Sequence, residues 1–102
     1  MKLVTLGSSS RGNSYLLIGR DEILIIEAGI KISEVKKILG FDLSGIAAVL
    51  VSHLHNDHAG YIKEYLEAGI PVLAGKETFE SKDIAQYKYL WKETISGKGY
   101  KI

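Results

Sequence analysis

The stretch VSHLHNDHAG, residues 51–60, holds every histidine of the chain: His53, His55 and His58, with Asp57 among them. Their spacing is that of metal ligands. His53 and His55 are two residues apart directly after an apolar run, so an extended backbone points both imidazoles the same way. Asp57 and His58 are adjacent where the loop turns into a helix, and there they diverge toward a second position. Neutral imidazole and carboxylate suit Zn²⁺, and also Mn²⁺ or Fe. The chain has no cysteine, so no thiolate competes, and the set leans toward a catalytic rather than a structural metal. A solvated polar loop readily explains one histidine. It explains poorly why all three stand within six positions of a 102-residue chain.

Elements must hold that loop from both sides. IAAVLVS before it reads as the best buried strand of the sequence, and a helix is predicted over about 60–68. Ile62, Tyr65 and Leu66 share one face of that helix, Gly69 ends it and Pro71 prevents its resumption. Upstream, KLVTL (2–6) reads as a strand ended by the turn-rich GSSSRGNS (7–14). SYLLIG (14–19) and EILIIEAG (22–29) read as strands joined by a tight Gly-Arg-Asp turn. Their near-continuous Leu and Ile content predicts cover on both faces. Ser33 is the expected N-cap of a helix over 34–39, with Val35, Ile38 and Leu39 facing a core and Gly40 closing it. PVLAG (71–75) is a short buried strand. Residues 76–92 form a third amphipathic stretch with Phe79, Ile84, Tyr87 and Leu90 or Trp91 inward. SGKGYKI at the end reads as a turn entering another strand. Strands alternating with helices predict an α/β layered domain, with 1–102 as a single unit.

Composition narrows the function classes. With 46% hydrophobic and 25% charged residues, the chain can build a packed core. A formal net charge of +1 supplies no electrostatic funnel for DNA or an acidic membrane, although a local site can still recognise nucleic acid. The longest apolar run, IAAVLV (46–51), is far short of the roughly 18–20 residues that span a bilayer, so no membrane association is expected. The N-terminus lacks a signal peptide's apolar region, and a cytoplasmic protein is expected. The GSSSRGNS stretch offers glycines, hydroxyls and Arg11, a composition that can form an anion-cradling turn. Ser9, Arg11 and Asn13 are therefore candidate substrate-binding residues. Tyr61 and the aromatics of QYKYLW (86–91) read as packing rather than chemistry.

Strand, then SHLHNDHAG, then helix resembles the signature of the metallo-β-lactamase-fold hydrolases. The opening strand, the GSSSRGNS stretch, the paired strands ending in IEAG and the helix before the signature follow the family's order. Loop and spacing are most similar to its bacterial and phage branch of nucleic-acid-processing and general metal-dependent hydrolases. The resemblance implies a mixed sheet with helices on one face, as the N-terminal half of an αββα sandwich. It implies that His53 and His55 bind one metal and Asp57 and His58 another, one or two zinc ions per completed site. A metal-activated water then attacks a phosphodiester, ester or related substrate, with Asp57 also orienting the nucleophile. Glu27 stands where the family carries an aspartate that supports a metal-binding histidine, which implies a supporting role for a side chain one methylene longer.

The family's remaining ligands lie downstream, and no histidine follows His58 here. The expectation is an incomplete domain, completed by a missing C-terminal half or by another copy in a homo-oligomer. Substrates in reach are a small molecule or a nucleic acid. The competing reading, from a different class, is a non-catalytic oligomerising domain that keeps the metal motif as a relic.

Overall fold

The computed structural model describes residues 1–9, 11–52, 59–81 and 84–93. Among them, β1 (Lys2–Ser9), β2 (Gly12–Ile18), β3 (Ile23–Ile26), β4 (Ile46–Leu50), β5 (Val72–Ala74) and β6 (Trp91–Glu93) form one sheet in chain order. β1, β2 and β3 pair antiparallel, whereas β3, β4, β5 and β6 pair parallel. Parallel neighbours need crossovers. These are supplied by α1 (Ile32–Ile38), α2 (Ile62–Glu67), and α3 (Lys76–Ser81) with a 3₁₀ segment at Ala85–Leu90. The mixed α/β architecture expected from the sequence is the one observed.

Register explains where the core sits. Val4, Leu16, Ile25, Val49, Val72 and Trp91 are successive Cα partners, so one row of side chains crosses all six strands on a single face. Leu16, Ile25, Val49 and Val72 in that row are fully buried. Val35 of α1, Ile62, Tyr65 and Leu66 of α2, Phe79 of α3 and Ile84 belong to the same buried cluster, so the helices cover this face. The next row, Thr5, Tyr15, Ile26, Leu50, Leu73 and Lys92, lies on the opposite face. Its apolar members are only half-buried and stand outside the cluster. Leu3 on that face is 60% exposed. Cover on both faces is not what β2 achieves, since its burial alternates, whereas β3 buries both Leu24 and Ile25, which point to opposite faces.

Four further expectations are corrected. KLVTL does not end at residue 6; β1 continues to Ser9 and pairs with Gly12–Ile18, so most of GSSSRGNS is paired strand rather than loop. Ser33 does not cap α1. The helix begins at Ile32, two residues before the expected start, Lys31 makes no side-chain cap, and Ile32 N–H donates to Glu64 Oε1 at 2.9 Å across from α2. Ile38, expected inward, is 51% exposed. Residues 76–92 are not one helix, because Trp91 joins the sheet beside Val72 and its indole stacks on Phe79 at 4.6 Å between ring centroids. Strand pairing and that stack outweigh the helical periodicity. The predicted tight turn holds, with Gly19 N–H donating to Glu22 O at 2.8 Å. Gly69 ends α2 at φ +82°, a left-handed conformation that glycine takes without strain. The expected final strand lies outside the described residues.

A one-sided core has a measurable consequence. Ile25→Ala should lower the unfolding free energy by about 2–5 kcal/mol, the cost of a cavity in a filled core. Leu73→Ala on the half-buried face should cost clearly less. Urea denaturation of both variants checks this, and equal losses would contradict the assignment of faces.

Candidate metal centre

Because β3 and β4 run parallel and adjacent, their C-terminal ends lie side by side. The site grows from those ends. Glu27 follows β3 directly and is 5% exposed, with φ +72°. Its N–H donates to Leu50 O at 2.7 Å, and its Oε1 accepts the Ser52 N–H at 3.0 Å. A non-glycine residue in the left-handed region costs about 1–3 kcal/mol and persists only where the surroundings over-determine it. A buried carboxylate also needs donors to offset its lost hydration. Ser52, the residue before His53, is such a donor.

The segment after Glu27 is irregular but closely tied. Gly29 N–H donates to Asn13 O at 2.9 Å, and Ala28 O accepts Tyr61 N–H at 2.8 Å. Ile30 O accepts the Tyr65 hydroxyl at 2.8 Å. Glycine is required where the β1–β2 hairpin meets this segment. A Cβ on Gly12 would overlap Gly29 O, and one on Gly7 would come within 2.9 Å of Ile30 Cδ1. The hairpin is thus packed against residues 29–30 rather than free to cradle an anion by itself.

His53, His55, Asp57 and His58 lie outside the described residues. What flanks them is described. Ser52 enters the loop bonded to the Glu27 side chain, and Tyr61, after the buried Ala59, leaves it bonded to Ala28 O. Ser52 and Tyr61, which flank positions 53–58, are therefore both bonded to one dipeptide, Glu27–Ala28. Of the predicted substrate-binding residues, Arg11 is exposed at the hairpin turn, and Asn13 is half-buried with its carbonyl engaged by Gly29. Both stand at the sheet end where the loop is anchored; the Ser9 side chain lies outside the described residues. Among the described residues, no group of three or more His, Asp or Glu side chains converges on a cation position. By residue type alone, the three imidazoles and one carboxylate of positions 53–58 are donors that suit a zinc-type ion.

Sequence reasoning missed the polar role of α2. Tyr65 was expected only as core, yet its hydroxyl is spent on Ile30 O. Burial pushes the phenol well above its ordinary pKa, and the neighbouring Glu64 charge pushes the same way, so it remains a donor at physiological pH. Ser14, fully buried, lies close enough to oppose that rise slightly, but its Oγ makes no hydrogen bond among the described residues. The available signal was a tyrosine where the helical stripe needed only an apolar side chain.

A model of the metallo-beta-lactamase superfamily matches residues 9–100. The chain belongs to the metallo-β-lactamase superfamily. Members of the superfamily typically bind metal ions in the active site, and metal-dependent hydrolases are among them. Ribonuclease J 1 of Streptococcus pyogenes serotype M3 is 37% identical over 76 residues, covering 62% of this chain and 13% of the ribonuclease. A B3 metallo-β-lactamase with an active-site glutamic acid superposes with TM-score 0.69 at 24% identity, over 98% of this chain and 45% of its own. The metallo-β-lactamase-fold protein YhfI of Bacillus subtilis gives TM-score 0.66 at 20% identity, over 90% of this chain and 44% of its own. The two structures support the fold, and the chain spans less than half the length of either. No helix among the described residues is long and apolar enough to cross a membrane.

The Glu27 brace can be tested on stability alone. Glu27→Ala leaves the Ser52 amide without its acceptor and should cost about 1–3 kcal/mol. Glu27→Gln keeps an oxygen there and should cost clearly less. Glu, Gln and Ala are all strained at a left-handed φ, so the difference in urea midpoints isolates the side-chain oxygen.

Proposed function

We propose that this chain is the metal-holding part of a metal-dependent hydrolase that cleaves phosphodiesters, with zinc held by His53, His55, Asp57 and His58. The observation that carries the reading is the anchoring of both ends of that loop to Glu27–Ala28, beside the C-terminal ends of two parallel strands. In open α/β sheets ligands bind at such carboxyl ends. The superfamily resemblance divides the donors, His53 and His55 to one ion and Asp57 and His58 to a second; manganese and iron suit the same donors. Bound zinc supplies Lewis acidity and lowers the pKa of a bound water to about 7. Glu27 holds the loop entry, Asp57 orients the nucleophile as it ligates, and Arg11 and Asn13 stand where a substrate anion would lie. The match to a ribonuclease supports a phosphodiester, RNA in particular, over a lactam. The absence of cysteine accords with work in the reducing cytoplasm.

Four donors from one loop leave a dinuclear site short of ligands. A second copy, or a further segment of a longer chain, supplies the rest. The half-buried apolar sheet face also favours a second reading, in which the chain is an oligomerising domain without catalysis.

Native mass spectrometry with added Zn²⁺, alongside cleavage of a single-stranded RNA, separates these readings. The expected result is zinc uptake and metal-dependent cleavage, with His55→Ala weakening zinc binding by at least about tenfold and abolishing turnover. Zinc uptake that His55→Ala leaves unchanged overturns the metallohydrolase reading. A stable monomer with full activity overturns completion by a second copy.

A further inference from the structure

Phe41, in the loop between α1 and β4, is 75% exposed, stands outside the core cluster and has a left-handed backbone at φ +67°. Neither burial nor conformation accounts for a phenylalanine there. Glycine would take that φ without strain and would leave no ring in water. The ring is nevertheless carried on a firm base. Gly40, also left-handed at φ +63°, closes α1, and Phe41 N–H donates back to Lys36 O at 2.7 Å. Asp42 N–H donates to Leu39 O at 3.3 Å. The Asp42 carboxylate accepts the Ser44 N–H at 3.0 Å and the Ser44 hydroxyl at 2.7 Å. An aromatic ring is thus presented to solvent by a loop whose ordering cost is already met in folding, which is how a binding surface gains affinity.

The helix leading to that ring is basic. Residues 31–41 carry Lys31, Lys36 and Lys37 against Glu34 alone, in a chain whose formal net charge is only +1. The Lys37–Glu34 pair, 3.5 Å apart and exposed, is screened by water and leaves the surface positive. Because α1 crosses from the end of β3 to the start of β4, Lys31 stands at the carboxyl end of the parallel strands and Phe41 toward the opposite end. From this arrangement we infer that α1 and the loop after it bind single-stranded nucleic acid, a base stacking on Phe41 and the lysines following the phosphates. The inference rests on the phosphodiester reading proposed above and names the surface that would hold the strand away from the reacting centre. Single strands are held by a basic track and aromatic rings, since every base offers a π-face. A second copy fits less well, because a two-fold contact would set lysines against lysines, and lysine is depleted from the centres of protein interfaces.

Binding is read by fluorescence anisotropy with a labelled single-stranded RNA of about a dozen nucleotides, in chelator so that no metal-dependent cleavage intervenes. Phe41→Gly should raise the melting temperature, because the left-handed backbone no longer carries a Cβ, and yet weaken RNA binding at least about fivefold. Phe41→Tyr, which keeps the ring, should bind within about twofold of wild type. Tyr89→Ala, which removes another ring that is 79% exposed, should do the same. Replacing Lys36 and Lys37 together by glutamine should flatten the slope of log affinity against log salt by about 1 to 1.5. A wild-type chain that binds no RNA in chelator overturns the inference. So do unchanged binding in Phe41→Gly, an equal loss in Tyr89→Ala, or equal affinity for duplex RNA. A Phe41→Gly chain that sediments as a smaller species while RNA binding holds overturns it in favour of contact between copies. RNA binding that depends on Phe41, in a chain that cleaves no RNA when metal is restored, overturns the hydrolase reading and upholds this surface.

Discussion

The hydrogen bond from the Ser52 amide to the Glu27 carboxylate is the constraint on which the candidate site depends. It joins the residue after β3 to the residue that opens the histidine loop. Its geometry requires β3 and β4 to be parallel neighbours in register, which the pairing of Ile26 with Leu50 and the crossover through α1 provide. It also requires Glu27 to adopt a left-handed backbone that glutamate resists. The chain sustains that cost because Glu27 N–H is bonded to Leu50 O and residues 28–32 are tied on both sides. Strain and burial coincide at Glu27, whose side chain is bonded to the residue before His53. Local strain stored beside a site of chemistry is the recurrent pattern in proteins.

The sheet is asymmetric in a way that separates folding from completion. Its helix-covered face carries the row from Val4 to Trp91 and most of the buried apolar side chains. The opposite face carries Tyr15, Ile26, Leu50 and Leu73, half-buried and uncharged. In the superfamily structures matched here, this chain corresponds to under half of the whole. An apolar face of this kind lowers its free energy by acquiring cover.

How much of this was legible in the sequence depends on the range of the interaction. The strand before the histidines and the helix after them were readable, because period and punctuation are local: Ile62, Tyr65 and Leu66 are buried and Gly69 ends the helix as expected. The α1 start was misread because its acceptor, Glu64, is 32 residues away and no local pattern encodes it. GSSSRGNS carries every sign of a loop, yet Gly7 and Gly12 are there because Ile30 and Gly29 approach too closely for a side chain. Trp91 continued a helical stripe until pairing with Val72 drew it into the sheet. For the site, residue types within 53–58 pointed to the chemistry and the resemblance pointed to Glu27. The tethers from Tyr65 and Glu64 were hidden, because both residues also satisfy an ordinary amphipathic pattern.

The tethers bear on what a chain of this length can do alone. Among the described residues, the segments flanking positions 53–58 are tied by bonds that run from Asn13, Glu27, Ala28, Ile30 and Ile32 to Gly29, Leu50, Ser52, Tyr61, Glu64 and Tyr65. These bonds use no side chain of the half-buried sheet face. Holding the loop and completing the ligand set are therefore separate physical problems. The first is solved locally, by backbone bonds and one buried carboxylate. The second belongs to the metal site proposed above, and no histidine follows His58 to supply it.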